Sequence, residues 1–386
     1  MSVKLKRKKI AYVTGTRADF GLMTPVLQAI DKSRKLNLQL YATGMHLMPE
    51  FGNTINQVKK MFSGVKSLSA KFKNSKPKSQ AEFSANLLSL LVKEFSKNRP
   101  DFVLTLGDRP EMLCVAIACL YLRIPTGQIH GGEKTSTIDE VARHAITKIS
   151  NIHFPATKKS ADRIKKMGED SWRINITGAP ALDYILSQPL PNRRELFKYL
   201  KIGSQNKVIL VTNHPISEDN KESERQMEEI LIAVSSFDLP VVVIYPCADP
   251  GHQGIIKAIN RYRNKSNFRI FKNLDYRQFL ALERESAVWV GNSSAAMIES
   301  ASFKTPIVNV GSRQLGRQRG NNVIDVDYNK AAIHQAIKKS LFDKSYLNKL
   351  RSVTNPYGDG KTSQKIVKVL EDMEINSKLL TKQITY

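Results

Sequence analysis

Along its first half the chain alternates short apolar runs, each ending in glycine or a small polar residue, with longer stretches whose apolar positions recur every three or four residues. That is the βα alternation of a parallel sheet covered by helices. The runs at residues 10–13, 38–42, 102–106, 125–129, 153–156 and 173–177 predict strands. Between them Leu22, Val26 and Ile30 share one helix face, and Phe83, Leu87, Leu91 and Phe95 share another, so each set can lay an apolar stripe on a sheet. A polar, proline-bearing stretch around 187–194 interrupts the pattern, which then restarts with predicted strands at 208–212, 241–245, 268–271, 287–291 and 306–310.

The expected fold class is therefore α/β, with two Rossmann-like parallel-sheet domains. Residues 1–185 form the N-terminal domain and 186–365 the C-terminal one, and a tail at 366–386 is able to pack back on the first. A length of 386 residues agrees, because one hydrophobic core seldom organises so long a chain. The Lys- and Ser-rich segment 62–80 reads as a loop or mobile flap, and 362–379 as the last helical stretch.

Composition adds limits. Hydrophobic residues make up 41% and charged residues 25%, an ordinary globular balance. No apolar run approaches the ~18 residues of a membrane span. The basic start, Lys4 to Lys9, leads into an apolar run shorter than the roughly 7–15 residues of a signal-peptide core, so no export signal is expected. Three cysteines, Cys114, Cys119 and Cys247, lack CxxC spacing, which disfavours a disulfide framework or thiolate zinc site and fits a reducing cytoplasm. The 60 Lys and Arg against 35 Asp and Glu give a net charge of +25. Such a field attracts nucleic acid, anionic membranes or phosphorylated small molecules, and charge alone does not choose among them. The excess is spread along the chain rather than gathered in a stripe with interleaved aromatics, so neither nucleic acid nor membrane is the expected partner.

The candidate chemistry lies at strand ends, where open α/β sheets bind ligands. VTGTRAD follows the first predicted strand, GDR the third and HGGE the fourth, NHP opens the second half, and GNSS stands between a strand and a helix. There is no GxGxxG and no GxxxxGK[ST], which removes the dinucleotide and P-loop readings.

Taken in order, GTRADFG at 15–21, GDR at 107–109, HGGE at 130–133, TIDEVARHAITK at 137–148, NHP at 213–215 and GNSS…E…TP…N.GSRQ.GR through Arg317 resemble the hydrolysing UDP-N-acetylglucosamine 2-epimerases over about residues 9–370. The non-hydrolysing relatives carry Pro-Glu where this chain has Ala18-Asp19, which favours the hydrolysing branch. The resemblance implies a fold like the GT-B glycosyltransferases, a UDP-sugar in a central cleft, and domain closure on binding. It also implies anti elimination of UDP to a 2-acetamidoglucal, then hydration to a free manno-configured sugar for sialic or legionaminic acid synthesis. Removing a weakly acidic proton from carbon 2 needs a positioned base, a second acid/base group and cations for the departing diphosphate.

On that resemblance the catalytic positions are Asp108 and Asp139, with Glu133 beside them and His130 standing where animal members carry a glutamate. The nucleotide and substrate positions are Arg17, His46, Arg109, His214, Ser293, Ser294, Glu299 and Arg313. Several have a bland counterpart: Asp139 capping its helix or pairing with Arg143 at i+4, Asp108 holding Arg109 or a backbone turn, and His130 as a hydrogen-bonded strand-end histidine. Likewise Ser294 can be only an N-cap and Glu299 only a solvated face. No cofactor or metal is required when arginines and a helix start receive the diphosphate. The partners implied are the UDP-sugar, the UDP product and a second copy of the chain, as homodimer or homotetramer. A GT-B glycosyltransferase is the rival within the fold, and a basic nucleic-acid-binding protein the rival of another class. UDP-GlcNAc and its 2,4-diacetamido-2,4,6-trideoxy analogue both remain open as substrates.

Overall fold

A computed structural model describes residues 7–74, 76–135, 138–203, 207–216, 219–247 and 249–386. Lys4 to Lys6 of the basic start, and Thr137, which opens the TIDEVARHAITK motif, lie outside the described residues. The chain divides into two compact units, one of Met1–Asn74, Lys78–Ser187 and Tyr357–Tyr386, the other of Ser75–Pro77 and Gln188–Pro356. The sequence places boundaries at 185/186 and 365/366.

The first unit holds β1 (Lys8–Thr14), β2 (Leu36–Ala42), β3 (Lys66–Ser67), β4 (Phe102–Leu106), β5 (Thr126–Ile129) and β6 (Ile152–Phe154), paired in parallel in the order β3-β2-β1-β4-β5-β6. The second holds β7 (Val208–Thr212), β8 (Val241–Ile244), β9 (Phe268–Phe271), β10 (Ser286–Gly291), β11 (Ile307–Val310) and β12 (Val323–Val326), in the order β12-β11-β10-β7-β8-β9. Both orders are the doubly wound one, so each sheet reverses direction once, between β1 and β4 and between β7 and β10. The α/β class with two Rossmann-like parallel sheets is thus present in the fold.

Strands buried on both faces explain why the runs are continuously apolar rather than alternating. In β7, Val208 and Leu210 pack with Trp289 and Ala281 on one face, while Ile209 and Val211 pack with Ile230 and Ile337 on the other. In the first unit, Ile10, Tyr12, Phe102 and Leu104 meet Met23, Val26 and Ile30 of the helix Arg17–Lys32.

The stretch 173–177 is not a strand. A single-turn 3₁₀ segment, Ser171–Arg173, precedes one isolated bridge of Ile174 to His153. The cause is Arg173, whose buried guanidinium donates to the carbonyls of Asn151, Lys378, Leu379 and Thr381 and so ties down the C-terminal segment instead of extending a ladder. The segment 62–80 is more structured than a flap: it contains β3, the first turn of the helix Pro77–Lys97, and buried Leu68, Ala70 and Phe72. The last helical stretch breaks at Met373 into Thr362–Asp372 and Ser377–Leu380. Its Ile366, Leu370 and Leu379 complete the core of the first unit, and the Asp183 carboxylate accepts the N–H groups of Thr362 and Ser363 at the helix start. No helix among the described residues is long and apolar enough to cross a membrane.

Candidate active site

In the first unit, the loops leaving β1 and β4 flank the reversal point of the sheet, and the loop leaving β5 lies beside them. Asp108 follows β4 by two residues, and its Oδ2 takes a hydrogen-bonded ion pair from Nη2 of Arg143, on the helix Ile138–Ile149. Arg143 is nearly inaccessible, and its other amino group donates to the carbonyl of Glu133 at 3.1 Å and to Thr135 Oγ1 at 3.4 Å. One guanidinium therefore joins the GDR turn to the HGGE turn. Gln128 braces it, with Nε2 at 3.0 Å from the carbonyls of Gly107 and Arg143. Asp139 lies one turn before Arg143 on the same helix face, in the first turn where the macrodipole favours an anion.

His130 directly follows β5 in a left-handed conformation (φ +60°) that non-glycine residues seldom adopt. Its Nδ1 lies 2.5 Å from Glu133 Oε1, and both side chains are buried. That bond fixes the ring and leaves Nε2 as the nitrogen on its far side. A neighbouring carboxyl, Glu140, accepts the Thr135 N–H at 2.6 Å.

The loop after β1 is organised by Asp19, which the sequence marked only as a difference between the two branches and gave no role in the site. Its Oδ2 accepts the N–H groups of Gly15 (3.0 Å) and Thr16 (2.9 Å), while Thr16 caps the helix reciprocally, a complete capping box. Burial pushes the Asp19 carboxyl up to about 6, the bonds from Thr14 and Gly15 opposing the rise and Glu111 adding to it. Gly15 is required here because a Cβ would run into the Glu111 carboxylate. Glu111, itself inaccessible, pairs with Arg109 at 3.1 Å. Arg109 is thus engaged with Glu111, and Asp108 with Arg143 rather than with Arg109. His46 is fully buried, with Nε2 2.9 Å from Thr14 Oγ1 and Nδ1 2.7 Å from Thr54 Oγ1, and burial lowers it to about 4. Neither ring nitrogen is open to a ligand in this arrangement. Arg17 opens the helix Arg17–Lys32, half-buried.

The second unit presents neutral polar groups at its reversal point. Asn292 joins the two loops: its Oδ1 accepts the His214 N–H at 2.7 Å, and its Nδ2 donates to the His214 carbonyl at 2.9 Å and to the Tyr328 hydroxyl at 3.1 Å. Its own carbonyl receives Gln314 at 2.9 Å and Arg313 at 3.3 Å. The loops can approach so closely because residue 291 is glycine (φ +132°), where a Cβ would strike the Thr212 carbonyl. Ser293 is the cap of the short helix Ser294–Ile298 and makes no side-chain capping bond; Ser294 is the first helical residue, not the cap.

Glu299 is no solvated face. It is 1% exposed, and its Oε1 accepts the Tyr276 hydroxyl at 3.3 Å. Beside it stands Glu283, also inaccessible, on the helix Tyr276–Glu285. Burial raises both carboxyls, and the charge of Glu299 raises Glu283 further.

Each unit thus gathers its own predicted residues: Asp108, His130, Glu133 and Asp139 with Arg17 and Arg109 in the first, and His214, Ser293, Ser294, Glu299 and Arg313 in the second. Sequence reasoning missed Asp19, Glu111, Asn292 and Glu283. The signal for Glu283 is an acid on the Tyr276, Leu280, Glu283 stripe, a helix face otherwise turned inward.

A family model described as UDP-N-acetylglucosamine 2-epimerase matches residues 28–371. The chain is 38% identical over 381 residues to the UDP-N,N'-diacetylbacillosamine 2-epimerase (hydrolyzing) of Legionella pneumophila, covering 98% of this chain and 100% of the relative. It is 32% identical over 340 residues to the GDP/UDP-N,N'-diacetylbacillosamine 2-epimerase (hydrolyzing) of Campylobacter jejuni, covering 87% and 88%. Among solved structures, the UDP-GlcNAc 2-epimerase of Neisseria meningitidis bound to UDP-GlcNAc shares the fold with a TM-score of 0.78 at 20% identity, covering 94% of this chain and 99% of that one. With a family match over most of its length and full-length relatives above 30% identity, the chain belongs to the UDP-N-acetylglucosamine 2-epimerase family of enzymes.

Proposed function

We propose that the protein is a hydrolysing UDP-sugar 2-epimerase acting on a 2-acetamido sugar nucleotide, with the 2,4-diacetamido-2,4,6-trideoxy sugar as the first substrate to test and UDP-GlcNAc as the second. The order follows the names of the relatives from Legionella pneumophila and Campylobacter jejuni. The observation that carries the reading is the pairing of Asp108 with Arg143 and of His130 with Glu133, on loops leaving adjacent strands beside the reversal point of the first sheet.

In the proposed reaction an acid/base group drawn from Asp108, Asp139 and His130 takes the proton from carbon 2 as the carbon 1–oxygen bond to UDP breaks. Water then adds across the double bond, its hydroxyl to carbon 1 and a proton to carbon 2 from the opposite face, giving the manno-configured sugar. Glu133 stabilises the imidazolium form of His130 during proton transfer. Arg17, Arg109, His214, Ser293, Ser294 and Arg313 receive the diphosphate and nucleotide, and Glu299 accepts the ribose hydroxyls. His46 supports the loop behind them. The product suits nonulosonic acid synthesis in the cytoplasm, with the enzyme working as a homodimer or homotetramer.

The test is incubation with each UDP-sugar in deuterated water without any acceptor. The reading expects UDP, free sugar and deuterium at carbon 2. Intact substrates would favour glycosyl transfer instead, and product lacking the label would rule out elimination.

A further inference from the structure

Glu283, on the helix Tyr276–Glu285, is inaccessible, and Glu299, which follows the short helix Ser294–Ile298, keeps 1% exposure. Both oxygens of Glu283 and Oε2 of Glu299 have no hydrogen-bond donor among the described residues, and the Tyr276 hydroxyl serves only Oε1 of Glu299. Two ionised carboxylates left so would be a repelling, unsolvated pair, which folded proteins avoid by keeping a proton on one of them. The helix that carries Glu283 also sends the Tyr276 hydroxyl to Glu299, and burial together with the charge of Glu299 favours Glu283 as the partner that keeps the proton.

We propose that Glu283 is a positioning residue for nucleotide binding: its carboxylic acid donates a hydrogen bond to Glu299 and, with Tyr276, aims the Glu299 carboxylate at the ribose hydroxyls of the substrate. This rests on the assignment of Glu299 to the ribose made above. The arrangement resolves a conflict in the site, because a carboxylate that accepts two vicinal hydroxyls has to stay charged while enclosed. A neutral donor behind it and a tyrosine beside it hold that charge in place without adding a cation, which would compete with the ribose for the same oxygens. The helix Tyr276–Glu285 supplies both, seven residues apart on one face.

The experiment compares the binding of UDP and of 2′,3′-dideoxy-UDP by calorimetry to the unaltered protein, E283Q and E283L. The glutamine keeps a donor and is expected to bind UDP within about twofold of the unaltered protein. The leucine removes the donor, so its affinity for UDP should fall about tenfold, the scale of one hydrogen bond to a charged group. Its affinity for the dideoxy nucleotide should not change, a split that general damage to the core would not produce. Equal binding of the two nucleotides by the unaltered protein would take Glu299 away from the ribose and overturn the proposal together with that assignment. Discrimination that survives undiminished in E283L would overturn the positioning role alone. Should E283L fail to fold, the infrared difference spectrum between the unaltered protein and E283Q at neutral pH decides: a protonated carboxyl band lost in E283Q supports the proposal, and loss of an ionised carboxylate band instead refutes it.

Discussion

The two units share one sheet order and place their polar residues at the same topological point, yet they fill it with opposite chemistry. The first unit sets carboxylates against basic side chains: Asp108 against Arg143, Glu133 against His130 and Glu111 against Arg109. The second sets amides and hydroxyls against backbone, through Asn292, Gln314 and Tyr328. Carboxylates held against basic side chains suit proton transfer, whereas a neutral lattice of donors with Arg313 at its edge suits holding an anion without reacting with it. On the proposed function, the duplicated scaffold separates making and breaking bonds from gripping the substrate.

Substitutions can break that division. The largest effect is expected for D108N. Turnover should fall by about 10³-fold, at the middle of what a general acid or base contributes, while the dissociation constant for UDP moves less than about threefold. Loss of UDP affinity with turnover kept would reverse the assignment of the units. Because Arg143 is buried and loses its charge partner, the variant should also melt at a lower temperature, so its circular dichroism has to be recorded alongside.

Next comes pH, read through His46. In the unfolded chain it takes up a proton near 6.5, whereas burial holds it at about 4 in the fold. Stability is therefore lost as pH falls from about 6.5 towards 4, on the order of 3 kcal/mol in total. Asp19, raised to about 6, acts the other way. Between about 4 and 6 the fold holds a proton that the unfolded chain releases, so its contribution favours acid and declines as pH rises. H46Q removes the first effect and keeps the second, and its stability deficit in urea unfolding should shrink by on the order of 3 kcal/mol between pH 7 and pH 4. A deficit independent of pH would mean that the histidine titrates alike in the folded and unfolded chain.

Smaller changes sharpen the comparison. E133Q leaves His130 without an acidic partner, and kcat should drop about thirtyfold with KM nearly unchanged. R313A should raise the dissociation constant for UDP about tenfold and leave the single-turnover rate at saturating substrate within about threefold. Equal effects of both variants on rate and binding would dissolve the distinction between the units.

What the sequence reveals follows from how each feature is encoded. Central strands such as Val208–Thr212 and Phe102–Leu106 are legible because burial on both faces demands an unbroken apolar run. Two of the four edge strands are not: β3 has two exposed residues, and β12 reads Val-Ile-Asp-Val with its acid in solvent. Residues 173–177 look like a strand because Ile174 and Ile176 alternate, and nothing local reveals that Arg173 is anchored by carbonyls some two hundred residues away. The candidate site divides in the same manner. Motif residues stand out by their position after strands, whereas their partners are chosen in space. Arg143 finds Asp108 across 35 residues, and Glu283 is a single acid in an inward helix face whose counterpart lies on another helix.

The return of Tyr357–Tyr386 to the first unit has a consequence for how the protein is made. The second unit is essentially one uninterrupted stretch and can collapse as soon as it clears the ribosome. The first, although translated earlier, lacks until the end the helix Thr362–Asp372 that packs on its helices Arg17–Lys32 and Pro180–Ser187 and adds Ile366 and Leu370 to its core. At ~5–20 residues per second that delay spans many seconds, so the earlier-born half is the later one to be sealed, and a premature stop near residue 356 would release a chain with a complete second unit and an unsealed first.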